Sequence, residues 1–222
     1  MNGAMKRFRL WLLIMTPGLL IGCSGLPAKK EPLFDGETLN GWQGLVADPY
    51  RLQTLEEEEL SELQARADDL MNRHWKVEAG VLCFDGKGSH LVTCREYGDF
   101  ELNLEWQITP GGDSGIYLRG FPQVQIWDHL QNPVGSGGLF NNRNHGSTPL
   151  VVADRAPGEW NHFRIRMRGD RVTVYLNDSL VVNDSILENY WRRGEPLPQR
   201  GRIELQSHGT PLKFRNITIQ EF

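Results

Sequence analysis

Glu101-Leu102-Asn103-Leu104-Glu105-Trp106-Gln107-Ile108 alternates polar and apolar residues without a break. A period of two is the signature of a strand with one face buried and one face in solvent. The same alternation recurs at Gly115 to Arg119, Gln123 to Trp127, Phe163 to Arg168, Val172 to Leu176 and Arg202 to His208, with Gly, Pro, Asn and Asp between the runs. Short, evenly spaced strands of this kind predict an all-β fold, an antiparallel β-sandwich or jelly roll. One stretch breaks the pattern. From Asp48 to Arg73 the chain carries Glu56-Glu57-Glu58-Glu59 and apolar residues at Leu60, Leu63, Ala67, Leu70 and Met71, which predicts a single inserted amphipathic helix packed on the edge of the β domain. The 222 residues hold 24 Gly, 12 Pro and 7 Trp, a composition of turns and strands that excludes coiled coil, collagen and disorder and fits one large β domain.

Parity assigns the faces. With Leu102, Leu104, Trp106, Ile116, Leu118, Val124, Ile126, Ile203 and Leu205 in the core, the outward set is Glu101, Asn103, Glu105, Tyr117, Arg119, Gln125, Trp127, Glu204, Gln206 and His208. Arg164, Arg166 and Arg168 make a plain charged solvent face. Carboxylates, amides, an Arg, an imidazole and two aromatic rings suit a sugar: amides and guanidinium bond paired hydroxyls, and rings cover the apolar C–H faces of a pyranose. A solvated sheet face would be polar anyway, but that alternative leaves Tyr117 and Trp127 unaccounted for.

The amino terminus reads as an export signal in residues 1–22: Lys6-Arg7-Phe8-Arg9 is basic, and Leu10 to Leu20 is apolar but short and interrupted by Pro17. Leu20-Ile21-Gly22-Cys23 resembles the lipobox of bacterial lipoproteins, which implies acylation of Cys23, a tether over residues 23–31 and a domain over 32–222. Acyl chains would hold the mature protein at a membrane surface, and Ser24 after the cysteine resembles the outer-membrane pattern, so an outer-membrane or periplasm-facing envelope location is expected. The net charge is −4, and loss of Lys6, Arg7 and Arg9 would leave 21 of the 24 basic side chains against 28 acidic ones. Such a surface repels phosphate backbones, so no nucleic-acid partner is expected.

Cys83 and Cys94 flank the turn Asp85-Gly86-Lys87-Gly88-Ser89, so a hairpin would bring them face to face at some registers. Neither a metal nor another cofactor is expected: no loop has the alternate-ligand spacing of a calcium site, and no His lies at ligand spacing from the cysteines. Gly135-Ser136-Gly137-Gly138 lacks the Lys-Ser/Thr continuation of a phosphate loop and reads as a mobile cover over a site.

Six motifs in order carry a family resemblance: Leu33-Phe34-Asp35-Gly36 with Leu39-Asn40-Gly41-Trp42, Tyr97-Gly98-Asp99-Phe100-Glu101-Leu102, Gly112-Asp113-Ser114-Gly115-Ile116-Tyr117-Leu118-Arg119, Val124-Gln125-Ile126-Trp127-Asp128, Gly158-Glu159-Trp160-Asn161 and Phe214-Arg215-Asn216-Ile217. From about Pro32 to Phe222 the chain resembles the 3-keto-disaccharide hydrolase family, related in fold to concanavalin-A-like lectins and glucanases. One departure is Asp113, where the family often has Asn. The resemblance implies a concave sheet that holds a glycoside. It also implies cleavage of a 3-keto-glycoside by removal of the C2 proton, β-elimination of the aglycone and hydration. His208, Glu105 and Asp128 are the candidate catalytic groups, and Arg119, Gln125, Gln206, Tyr117, Trp127, Asp113 and His145 the candidate substrate contacts. His208, Glu105 and Arg119 are expected to converge on one concave pocket. A strand-end histidine bonded to a loop and an Arg–Glu structural pair are the competing readings. A non-catalytic, envelope-tethered carbohydrate-binding module is the alternative function.

Overall fold

The computed structural model describes residues 29–222, so the export signal and Cys23 lie outside the described residues. Among the described residues thirteen strands form two antiparallel sheets: β1 (Glu31–Pro32), β2 (Trp42–Gly44), β3 (Trp75–Glu78), β4 (Val81–Phe84), β5 (Leu91–Thr93), β6 (Phe100–Ile108), β7 (Asp113–Leu118), β8 (Phe121–Trp127), β9 (Asn161–Arg168), β10 (Arg171–Leu176), β11 (Ser179–Ile186), β12 (Glu204–Leu205) and β13 (Leu212–Glu221). The eight-stranded sheet runs β11-β10-β9-β6-β13-β4-β3, with β1 beside the far end of β13. The five-stranded sheet runs β2-β5-β12-β7-β8. The fold is an antiparallel β-sandwich of the jelly-roll type with an inserted helical segment.

Alternation along β6 gives strict burial of every second residue, and Leu102, Leu104 and Trp106 meet Ile116, Leu118, Val124, Ile126, Ile203 and Leu205 in one core between the sheets. Every residue assigned to the core by parity is there. The arginines of β9 stay outside: Arg166 bonds Glu101 at 2.8 Å and Arg164 lies over the Tyr175 ring at 3.9 Å.

The inserted segment is two helices rather than one. Asp48 accepts the amides of Tyr50 and Arg51 and Pro49 opens a single turn, α1 (Pro49–Leu52). After a break, α2 (Glu57–His74) carries Glu57, Glu58 and Glu59 in its first turn and Arg73 and His74 in its last, complementing the helix dipole. It covers the β2 edge: Asp68 accepts the Gly44 amide at 2.9 Å and Gln64 donates to the Gly44 carbonyl at 2.9 Å. A Cβ on Gly44 would lie 2.2 Å from the Ala67 carbonyl oxygen, so only glycine allows this approach.

The cysteine hairpin does not form. Cys83 is in β4 of the eight-stranded sheet, whereas Cys94 follows β5 of the five-stranded one, and both thiols are free. The turn between them crosses from one sheet to the other.

Candidate active site

The two sheets divide the outward residues that strand parity alone treats as one set. Glu101, Asn103 and Glu105 are on the outer face of the eight-stranded sheet, and Tyr117, Gln125, Trp127, Gln206 and His208 cluster at the outer face of the five-stranded one. Glu105 therefore stands on the opposite side of the sandwich from His208, which corrects its catalytic assignment. Its carboxylate accepts from Arg215 at 2.8 and 2.6 Å and from Asn216 at 2.6 Å. Partial burial pushes its pKa up, but these donors outweigh that and hold it below the ordinary value. Glu105→Gln is expected to leave turnover within about a factor of two and to cost about 1 kcal/mol in a denaturant melt.

Three further assignments are corrected. Arg119 is 2% exposed and turns away from the sheet face: its guanidinium donates to the Gly98 carbonyl at 2.9 and 2.7 Å, to Gly169 at 2.9 Å, to Pro198 at 3.2 Å and to Asp99 at 2.7 Å. With its donors committed to loop carbonyls and Asp99, it ties three loops together. Asp128 is buried and accepts the amides of Gly111 and Leu130, each at 2.9 Å, so it shapes a turn. His145 bonds Glu188 at 3.0 Å, and Glu188 also accepts the amides of Arg143, Asn144 and His145. Against the upward push of burial, those donors pull Glu188 down to about 2.

The remaining candidates meet around a cavity of about 290 Å³, near the lower end of the range for small-molecule pockets. Gln206, Tyr117 and Gln123 make its floor, Asp113 and His208 one end, and Phe140, Tyr190 and Trp191 its rim. Gly115 is glycine for a local reason: a Cβ there would sit 3.0 Å from the Gln123 amide carbon and 3.1 Å from Gln206 Oε1. Tyr117 Oη accepts from Gln206 Nε2 at 3.3 Å, while Gln206 Oε1 is buried with no partner. Burial first, and Glu204 second, raise the Tyr117 pKa, so the phenol remains a donor at neutral pH. Asp113 is fixed from behind: Gln123 donates to Gln125, and Gln125 Nε2 donates to Asp113 Oδ1 at 2.8 Å. Asp113 Oδ2 is then left facing the exposed imidazole of His208, with Nδ1 at 3.4 Å. Where the family often has Asn, this chain thus gives its histidine a carboxylate neighbour.

Sequence reasoning missed Gln123, Asn141, Phe140, Tyr190 and Trp191. Gln123 shares the parity of Gln125 and was legible; the others come from connections. The Gly-rich loop extends the sheet edge, through Gln125 N to Gly138 O at 3.0 Å and Gly137 N to Gln125 O at 2.8 Å, and so delivers Phe140 and Asn141 to the cavity. Tyr190 and Trp191 are more than a third exposed and present their rings to the cavity.

His90 supports this floor from below. Its Nδ1 accepts the Ser207 amide at 3.3 Å and lies 3.1 Å from Ser207 Oγ, between the two site residues Gln206 and His208. Burial, with His208 as a smaller influence, lowers its pKa to about 4, so it stays neutral.

A second cavity of about 290 Å³ lies over the same sheet, lined by Leu45, Pro49, Leu52, Val92 and Glu204. It has no aromatic ring, and Glu204 is buried with its pKa pushed up to about 8, chiefly by desolvation. A folded-state value above the ordinary 4.5 means that protonation favours folding: this contribution is complete below about pH 4.5 and is lost as the pH rises to about 8. Glu204→Gln should therefore raise the melting temperature at pH 8.5, by a change on the order of 2 kcal/mol, and alter it little at pH 5. An equal shift at both pH values would contradict the buried neutral carboxyl.

Comparison with known proteins agrees with this architecture. Three crystal structures of candidate glycosyl hydrolases from Parabacteroides distasonis superpose on it. One is 28% identical, with 87% of this chain and 84% of that one covered, at TM-score 0.65. A second is 25% identical, with 87% and 100% covered, at 0.63. A third, 19% identical with 87% and 94% covered, shares the fold at TM-score 0.67. The 3-keto-disaccharide hydrolase of Bacteroides thetaiotaomicron is 25% identical over 243 residues, covering 85% of this chain and 77% of that protein. Residues 29–220 match the 3-keto-α-glucoside-1,2-lyase-like domain, and the chain belongs to that carbohydrate-active family.

Proposed function

We propose that the protein cleaves 3-keto-glycosides by elimination followed by hydration, with His208 as the proton-transfer group. The observation that carries this reading is the number of carboxylates. A glycosidase of the usual kind needs a pair roughly 5 to 9.5 Å apart across the bond, and among the residues lining the aromatic-rimmed cavity Asp113 is the sole carboxylate. One base is enough when the sugar carries a 3-oxo group. His208, oriented by Asp113 through Nδ1, takes the C2 proton on Nε2, and the electron pair moves into an enolate whose oxygen accepts from the Tyr117 hydroxyl. The C1–O bond then breaks, the enolate carbonyl re-forms, and the aglycone oxygen leaves with a proton returned by the imidazolium. Water adding across C1=C2 completes a net hydrolysis with no change of oxidation state. Gln206 Oε1, buried and unpartnered, is suited to accept from a sugar hydroxyl.

The test is incubation of the purified domain with a chromogenic 3-keto-glucoside and with its unoxidised counterpart. Release from the keto form alone is expected. Release from neither, with saturable sugar binding, would favour the carbohydrate-binding module that the exposed rings would also serve. Asp113→Asn should cut kcat about 10- to 100-fold with KM nearly constant, because it removes the carboxylate that holds the imidazole. We also propose that Cys23 is acylated and tethers the domain to the envelope, a reading supported by the sequence of residues 6–23. Cys23→Ala should abolish labelling by a lipid precursor, and unchanged labelling would remove the lipoprotein assignment.

A further inference from the structure

A smaller cavity of about 130 Å³ adjoins the candidate site, and Gln125, Trp127 and Phe140 line both. Its remaining walls are Val134, Gly135, Gly138, Ser147, Thr148 and Pro149. We propose that this cavity is an aglycone subsite for a single, largely apolar ring, so that the preferred substrate is a benzyl- or aryl-type 3-keto-glycoside rather than a 3-keto-disaccharide. The inference rests on the function proposed above and specifies its substrate.

Position, size and polarity each point this way. The β7–β8 register pairs Asp113 with Trp127, so the Asp113–His208 end of the site is the end that borders the small cavity. The leaving group departs from C1, beside the proton-transfer group, and therefore toward Trp127. The volume is close to the ~150 Å³ of an apolar cavity that binds benzene. The polar groups on these walls are largely committed: Trp127 Nε1 donates to Gly135 O at 2.5 Å, and the Gln125 amide is engaged by Gln123, Asp113, Ser114 and Ile126. Ser147 and Thr148 offer hydroxyls, and no charged side chain lines the cavity. A second hexose would bring several hydroxyls into a space with few partners for them, which opposes binding. A ring would instead meet Trp127 and Phe140, already edge-to-face at 5.1 Å with 75° between their planes.

The experiment compares kcat/KM for benzyl 3-keto-glucoside, methyl 3-keto-glucoside and a 3-keto-disaccharide of the same anomeric configuration. Benzyl alcohol is no better a leaving group than a sugar hydroxyl, so a preference for the benzyl compound reports contact with the aglycone rather than intrinsic reactivity. A benzyl-to-methyl ratio of about ten or more is expected, with the disaccharide below the benzyl compound. Val134→Asp should bring the benzyl-to-methyl ratio close to one. Thr148→Trp, which fills the same space from the opposite wall, should do so too and serves if the first variant does not fold. Equal values for benzyl and methyl, preference for the disaccharide, or ratios that survive both substitutions overturn the subsite while leaving the function intact. No cleavage of any of the three overturns the function and the subsite with it.

Discussion

Replacing His208 with alanine is expected to lower kcat on a 3-keto-glycoside by about 10² to 10⁴, the usual contribution of a positioned general base. Sugar binding should change far less, because the rings of Phe140, Tyr190 and Trp191 and the amides of Gln123 and Gln206 remain in place. Single-turnover measurements separate these effects: the rate of aglycone release falls while the substrate concentration at half-saturation stays near that of the parent protein. His208 is largely exposed and its deletion leaves no core void, so the melting temperature should hardly move. A loss of activity that tracked a loss of stability would assign His208 a structural role.

Arg119→Ala should have the reverse signature. Removing a guanidinium that is 2% exposed takes the side-chain donor from the carbonyls of Gly98, Gly169 and Pro198 and leaves Asp99 Oδ1 with the Gly169 amide alone. Breaking a buried, hydrogen-bonded charge typically costs about 3 to 5 kcal/mol, a large share of the stability of a domain of this kind. Arg119→Lys should recover only part of it, since a point ammonium cannot span several acceptors at once. Arg119 has a backbone φ of +56°, and a Cβ on Gly201 would lie 2.3 Å from its carbonyl oxygen, so the loops are tightly fitted around it. Equilibrium denaturation measures the cost. A stable Arg119→Ala protein with impaired turnover would restore the substrate-binding role first expected for it.

Alternation in sequence was enough to find the apolar core, where every residue that parity turns inward is buried, but not to mark the surface, since Tyr117, Arg119, Gln125, Glu204 and Gln206 of the outward set are buried as well. It could not say which sheet a strand joins. Glu105 and Gln125 have the same parity and the same polar character, yet β6 lies between β9 and β13 while β8 edges the other sheet, so their outward faces point in opposite directions. The cysteine hairpin failed for the same reason, since β4 and β5 follow one another in sequence but belong to different sheets. Asp113, Tyr117, Gln125, Trp127, Gln206 and His208 were legible because β7, β8 and the segment from β12 to His208 are neighbours. Phe140, Asn141, Tyr190 and Trp191 were not, since they lie in connections with no periodicity and take their place from contacts distant in sequence. Arg119 looked functional from its parity and both Arg119 and Asp128 from the motifs that carry them, and there the demand of loop carbonyls and amides for partners decides the outcome instead.

Elimination and direct hydrolysis give the same final sugar but differ in the hydrogen at C2. Cleavage of a 3-keto-glucoside in deuterated water, followed by NMR at early times against an enzyme-free sample of the same product, distinguishes them. If His208 removes the C2 proton, the 3-keto-glucose released carries solvent deuterium at C2 from the first turnover, and His208→Ala suppresses aglycone release and deuterium uptake together. Aglycone release with protium retained at C2 would contradict the elimination on which the proposed function depends.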